Sequence, residues 1–230
     1  MTRRFYLDLE LKKGLYTLTD DEYRHARVLR LQTGDNVSLV NGKGALGKAI
    51  VKEITKNTLT VEVQEVLHEE QALYISTLAA AIIKQSRLET LIEKSVEIGI
   101  NRLFFYRGGR SEKTKLSLPR AEKIAISALK QSGRLTLPDI QVFPSMQEIP
   151  HEHCLLYYGS PRSSSQNPPH PKRNAIFYVG PEKGFSHDEE IFLEKIGASP
   201  TLLALTTLRA ETAGILASAF LEYYKTTCTY

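Results

Sequence analysis

AIFYVGPEKGFSHDEE, residues 175–190, changes character three times. An apolar run from Ala175 to Val179 stops at Gly180-Pro181, a single carboxylate follows at Glu182, and Gly184 breaks the chain again before a polar segment begins. The run is short, β-branched and aromatic, which predicts a buried strand rather than a helix. Ser186 and Glu189 then form an S-x-x-E capping box, so a helix starts just after the turn. In an open α/β sheet, ligands sit outside the carboxyl ends of the strands. Gly180 and Gly184 would let the backbone approach such a ligand, and Pro181 would stiffen the turn. A plain strand-to-helix connection carries the same residues, so the turn alone decides nothing.

Working outward, the chain from Leu73 alternates strand and helix. ALYISTLAAAII (72–83) is a buried strand, and RLETLIEKSVEIGI (87–100) is an amphipathic helix. Its inward face is Leu88, Leu91, Ile92, Ser95, Val96 and Ile98, and Gly99 closes it. NRLFFYR, LPRAEKIAISALKQSG, IQVF and CLLYYGS continue the alternation, and PRSSSQNPPHPKRN (161–174) reads as a loop before the opening strand. Such alternation predicts a parallel sheet built from β-α-β units. Near the C-terminus Leu208, Ile215, Leu216, Ala219, Phe220 and Tyr223 recur at helical spacing, giving a helix over 210–224. Its small residues Ala213, Gly214, Ala217 and Ser218 allow another helix to approach closely. Arg209 and Glu211 stand at its mouth. A cation there opposes the helix macrodipole, so Arg209 is expected to answer to something outside the helix.

Residues 1–68 follow another regime. VSLVNGKGALGKAIVKEI alternates and turns at Asn41-Gly42, and TLTVEVQEVL (58–67) continues the β pattern. DDEYRHARVLR reads as one short helix, capped by Thr19 or Asp20, with His25, Val28 and Leu29 on a shared face. Short strands, one helix and Gly-rich turns predict a small barrel, with a domain boundary at HEEQ and the first domain closing near residue 70.

Composition excludes several classes. The only cysteines, Cys154 and Cys228, match no metal-ligand spacing and no disulfide framework. MTRRFYLDLELKKG has no apolar core of a signal peptide, and no apolar run is long enough to span a bilayer, so a cytosolic protein without membrane or metal partners is expected. The net charge of +4 is unevenly placed: Asn101 to Arg134 holds nine Lys or Arg against two Glu. That block suits a polyanion-facing surface, or equally a solvated helix-and-loop face.

Four stretches in order now define a resemblance: KQSRLETLIEKSVEIGINRLFFYRGGRS (84–111), ALKQSGRLTLPDI (128–140), YVGPEKGFSHDE (178–189) and LALTTLRAETA (203–213). Together with the amino-terminal RRFY and HARVLRLQTGDNVSLVNGKG (25–44), they resemble the ribosomal RNA small subunit methyltransferase E family, uridine-N3 methyltransferases of the knotted SPOUT class. The resemblance implies an α/β protein: a PUA-like RNA-binding barrel over 1–70, then a SPOUT domain over 71–230 tied in a C-terminal trefoil knot. It further implies S-adenosylmethionine as cofactor, ribosomal RNA or the small ribosomal subunit as partner, and a homodimer through knot helices.

By motif position, the implied cofactor cradle is Leu156, Tyr158 and Ser160, then Val179, Gly180, Pro181, Glu182 and Gly184, then Leu203, Ala204, Leu208 and Arg209. Arg209 is the first candidate for stabilising charge on the uracil, with Glu182 orienting Arg209 or the methionyl amine, or structuring the turn. Arg3, Arg4, His25 and Arg30, with Lys84, Arg87, Lys94, Arg110 and Arg134, are candidate RNA contacts.

The chain departs from the family pattern at polar or glycine positions. Lys183 replaces a glycine in the turn, Leu203-Ala204-Leu205-Thr206 replaces Leu-Gly-Pro-Arg, and Lys130 replaces a glutamate before Gln131-Ser132-Gly133-Arg134. A lysine forced to positive φ at 183 would cost about 1–2 kcal/mol, and a methyl group at 204 would crowd the adenine. Three functions therefore stay open: a methyltransferase on ribosomal RNA, a related knotted enzyme on another RNA, and an RNA-binding assembly factor without catalysis.

Overall fold

The computed structural model describes residues 3–70, 72–111, 115–163 and 173–227. It separates into two compact units, Met1–Gln71 with Ile126–Leu137, and Ala72–Ala125 with Pro138–Tyr230.

In the first unit, β1 (Arg4–Tyr6), β2 (Gly14–Leu18), β3 (Asn36–Val40), β4 (Ala45–Ile54) and β5 (Leu59–His68) form one sheet in the order β1-β3-β4-β5-β2. The sheet curls as a half-barrel, its end strands β1 and β2 each paired on one side only. Alternate residues such as Phe5, Leu39, Val51, Val61 and Leu59 fill its core. The turn expected at Asn41-Gly42 joins β3 to β4: the buried Asn41 side chain accepts from the Lys43 and Ala45 amides, and Gly42 and Gly44 take positive φ. Helix α1 (Asp20–Val28) forms as expected, and its inward face differs from the expected one at a single residue. Tyr23 and Ala26 are buried, His25 packs on Phe5 and Leu29 on the same core, but Val28 is 67% exposed, so the expected face holds for His25 and Leu29 and not for Val28. Tyr23 also donates its hydroxyl to the Thr55 carbonyl at 2.9 Å.

Residues 126–137 complete this unit. The Lys130 ammonium lies 2.6 Å from Glu22 on α1, and the Leu137 and Gly44 amides bond to the Gly42 and Leu135 carbonyls. The family's glutamate position is thus a lysine here with its own carboxylate partner.

The second unit carries a six-stranded sheet, all parallel, in the order β11-β9-β10-β6-β7-β8. Its strands are β6 (Ser76–Ala81), β7 (Arg102–Tyr106), β8 (Asp139–Phe143), β9 (Leu155–Gly159), β10 (Ala175–Val179) and β11 (Ser199–Thr201). Strands β6 and β10 are buried along their whole length; β10 is apolar throughout and β6 is so after its buried Ser76 and Thr77. Helix α2 (Gln85–Ile98) buries Leu88, Leu91, Ile92, Ser95 and Val96 as expected, with Ile98 half-buried, and ends at Gly99 in the left-handed region. Helices α3 (Leu118–Ser132), α4 (His187–Lys195) and α5 (Ala210–Thr227) complete the elements. Residues 164–172 of the expected loop, and Cys228, lie outside the described residues.

Helix α5 packs on α2, and Gly214 shows how closely: an added Cβ would sit 2.6 Å from Leu91 Cδ1. Ser218 and Ser95 meet at 3.1 Å in the same seam. Gly214, Ala217 and Ser218 therefore serve packing within the chain, and Ile215, Leu216, Ala219 and Phe220 form the other, half-buried face.

Candidate functional site

The strand end that follows Val179 is held from three directions. Gly184 donates its amide to the Pro181 carbonyl at 2.9 Å, closing a tight turn, and only Gly184 in it has positive φ, at 72°. Lys183 therefore bears no backbone strain, and the cost conditional on positive φ at that position does not arise. At Gly180 a side chain would meet backbone: an added Cβ lies 3.1 Å from the Phe185 amide nitrogen. Tyr106, buried in β7, donates its hydroxyl to the Val179 carbonyl at 3.1 Å. Burial, reinforced by the charge of Glu189, pushes that phenol well above the ordinary range, so it remains a donor.

The capping box forms as the sequence predicts, and Glu189 does more than cap. One carboxylate oxygen accepts from the Ser186 amide at 2.6 Å and the other from the Gly109 amide at 2.9 Å. The Arg107-Gly108-Gly109-Arg110 segment is thereby drawn onto the turn. Its glycines are needed for that approach, since an added Cβ at Gly109 would lie 3.1 Å from Ser186 Oγ.

Beside this turn, at the carboxyl ends of β9 and β10, lies a cleft of about 360 Å³. Its walls are the β9 end from Tyr158 through Arg162, the turn from Val179 to Phe185, and the segment 202–208 with Ala210 and Ala213 of α5. Of the expected cradle, Tyr158, Ser160, Val179, Gly180, Pro181, Glu182, Gly184, Leu203, Ala204 and Leu208 line the cleft. Leu156 packs in the core behind it. Arg209, exposed, adjoins the lining residues Leu208 and Ala210, and its guanidinium has no ion-pair or hydrogen-bond partner among the described residues.

Glu182 is not held by Arg209. Arg87 of α2 takes it at 3.1 Å and also reaches toward Glu211 on the first turn of α5, with Nε 3.7 Å from the carboxylate. One guanidinium thus links α2, the turn and the start of the helix that Arg209 precedes. Nothing local in the sequence signals a pair whose members stand 95 residues apart.

The other cations expected to meet RNA are dispersed. Arg3 pairs with Asp35 at 3.0 Å, His25 packs edge-on against Phe5, and Arg30 is exposed. Arg4 keeps one buried guanidinium nitrogen without a partner in a groove it shares with Arg3, Ser38 and Lys48. Arg134 is half-buried in the first unit. In the second unit Lys94 is engaged by Glu93 and Glu97, Lys84 is exposed, and Arg110 lines the cleft and donates to the Lys183 carbonyl.

Residues 69–222 match the family described as RNA methyltransferase domain, and residues 18–64 match the RNA methyltransferase PUA domain. The chain is 30% identical to ribosomal RNA small subunit methyltransferase E of Rickettsia conorii, over 94% of this chain and 93% of that protein. The chain belongs to the ribosomal RNA small subunit methyltransferase E family. The Buchnera aphidicola member from Acyrthosiphon pisum is 26% identical over 95% of this chain and 92% of its own. The crystal structure of the Neisseria gonorrhoeae member, bound to S-adenosyl methionine, superposes with a TM-score of 0.83 at 28% identity, covering 95% of this chain and 96% of that one. Among the described residues no helix is long and apolar enough to cross a membrane, and no group of His, Cys, Asp and Glu is arranged to hold a metal.

Proposed function

We propose that the chain binds S-adenosylmethionine in the cleft, against Tyr158, Ser160, the Val179–Glu182 strand end, Gly184, Leu203, Ala204 and Leu208, and methylates ring nitrogen 3 of one uridine in small-subunit ribosomal RNA. The observation that carries this reading is the backbone-walled turn at 180–184 opening on a cleft large enough for a nucleoside-sized ligand. Its fit is chemical as well as spatial. Tyr158, Val179, Leu203 and Leu208 offer apolar walls, while Ser160 and the turn offer backbone and hydroxyl groups. Ala204 stands in the wall with its methyl group and leaves the cleft open.

The cofactor would supply an activated methyl group on a sulfonium. The chain's residues do the rest. Removing the N3 proton leaves negative charge that spreads to the flanking uracil oxygens, and a fixed cation lowers its energy most in a water-poor cleft. Arg209 takes that role from the edge of the cleft, because its guanidinium has no partner among the described residues and its backbone is fixed by the Ala213 amide bonding to its carbonyl at 2.9 Å. Glu182, held by Arg87, shapes the turn and faces the cleft as an acceptor for a ligand amine. We assign the knot to the C-terminal chain, RNA docking to the half-barrel, and chemistry to the second unit. A homodimer would use Ile215, Leu216, Ala219 and Phe220, the face of α5 not packed on α2.

Calorimetric titration with S-adenosylhomocysteine tests the cofactor site directly, and saturable binding is expected. Absence of heat at millimolar ligand would leave an RNA-binding factor without catalysis. Arg209→Ala should lower single-turnover methylation by about 100- to 1000-fold with an unchanged melting temperature. Near-normal turnover would remove Arg209 from the mechanism, and a parallel fall in stability would make it an anchor.

A further inference from the structure

Cations gather around the cleft in excess of what a cofactor needs. Arg110, Arg162 and Lys183 line it, and Arg209 follows its last wall. Two carboxylates line it as well, Glu182 and Glu190, and Glu182 is already matched to Arg87, which is not part of the lining. Lys183 and Arg162 are exposed and have no ion-pair partner among the described residues. Many other lysines differ: Lys43, Lys48, Lys52, Lys94 and Lys130 each lie within 3.1 Å of a carboxylate. The position of Lys183 is also built. Its carbonyl accepts from Arg110 Nη1 at 3.3 Å, and the Pro181–Gly184 hydrogen bond fixes the turn on either side, so both side chains present their charge at one edge of the cleft.

S-adenosylmethionine carries a sulfonium, an ammonium and one carboxylate, a net positive charge. A cationic rim disfavours such a ligand and favours a polyanion. We infer that Lys183 and Arg162, with Arg110, form a phosphate grip for the RNA nucleotides flanking the target base. The inference rests on the methyltransferase reading and adds residues that it does not require. A uridine must leave its stack to enter a cleft of this size, and the phosphates on either side travel with it. Cations at the cleft edge hold those phosphates and thereby position the base over the site. Neither residue belongs to the machinery that would carry the methyl group.

The test uses the full chain and a short labelled single-stranded RNA with one central uridine, titrated between about 50 and 200 mM salt. In the double variant Lys183→Gln, Arg162→Gln, the slope of log affinity against log salt should flatten by about 1.4, or about 0.7 per lost contact on single-stranded RNA. Affinity for S-adenosylhomocysteine should stay the same or rise. Lys195→Gln, an exposed cation outside the cleft, should leave the slope unchanged. An unaltered slope in the double variant overturns the inference. So does an equal change in Lys195→Gln, which would mean general surface charge, or a loss of S-adenosylhomocysteine binding, which would place the two cations in the cofactor cradle. A wild-type protein that binds no S-adenosylhomocysteine and methylates no RNA would sink the methyltransferase reading, while the salt slopes still decide the grip.

Discussion

Two tyrosines, on the parallel strands β7 and β10 that flank β6, illustrate how single groups set the site. Tyr106 and Tyr178 are both fully buried in the cluster beneath the turn, yet among the described residues only the Tyr106 hydroxyl has a partner, the Val179 carbonyl. The Tyr178 hydroxyl is buried without one. Tyr178→Phe should therefore raise stability by about 1–3 kcal/mol, the cost of an unmade buried hydrogen bond. Tyr106→Phe should lower it by about 1 kcal/mol and loosen the turn. Burial raises both phenols. Above the ordinary tyrosine value of about 10, the unfolded chain loses protons that the folded chain keeps, so stability falls as pH rises from there. Melting temperatures between about pH 8 and 11 should show that decline in the wild type, and Tyr178→Phe should flatten it. Lys130 and Glu22 offer a second case, with side chains only 19% and 17% exposed. Lys130→Glu should cost about 3 kcal/mol or more by setting two poorly solvated carboxylates together, and Glu22→Lys in the same chain should recover part of the loss. Denaturant unfolding of the single and the double variant, beside the wild type, checks both halves.

At the scale of elements, helix α5 is held by how closely it approaches α2. Gly214→Ala would drive a methyl group into the fully buried Leu91, and overpacking of that kind costs about 1–3 kcal/mol. Gly184→Ala should cost about 1–2 kcal/mol for a different reason, because its surroundings are open but its φ is positive. Thermal melts separate the cases by location: the second change should also weaken S-adenosylhomocysteine binding, since Gly184 lines the cleft. What the residues disclose follows the same division. Helices α2 and α5 and strands β6 and β10 are legible because burial writes a period or a short, largely apolar run into them. The β-turn, the capping box and the Gly99 cap are legible because each needs particular residues at fixed short spacing. Strand β11, Ser199–Thr201, is too short and carries a proline, so no pattern announces it. On α1 the spacing places Val28 with His25 and Leu29, but Tyr23 and Ala26 are the residues the sheet buries. Arg87 reads as a surface cation until the fold brings α2 beside the 180–184 turn, and ion pairs of that separation leave no local mark.

The molecule as a whole divides into two units, a curled half-barrel and a parallel α/β sheet with the cleft at its strand ends. If α5 mediates a dimer through Ile215, Leu216, Ala219 and Phe220, Phe220→Arg should yield a monomer by light scattering while Gly214→Ala affects stability instead. Lys183, Ala204 and Thr206, the departures that kept an inactive factor open, leave the turn unstrained at Lys183 and the cleft open. The account therefore expects an active enzyme. The most direct measurement incubates the purified chain with small ribosomal subunits lacking native modification and isotopically labelled S-adenosylmethionine, then maps the label by mass spectrometry of RNA fragments. One uridine carrying a single added methyl at ring nitrogen 3 is the predicted result, lost in Arg209→Ala. Label on another base or another ring position, or none at saturating cofactor, would contradict it.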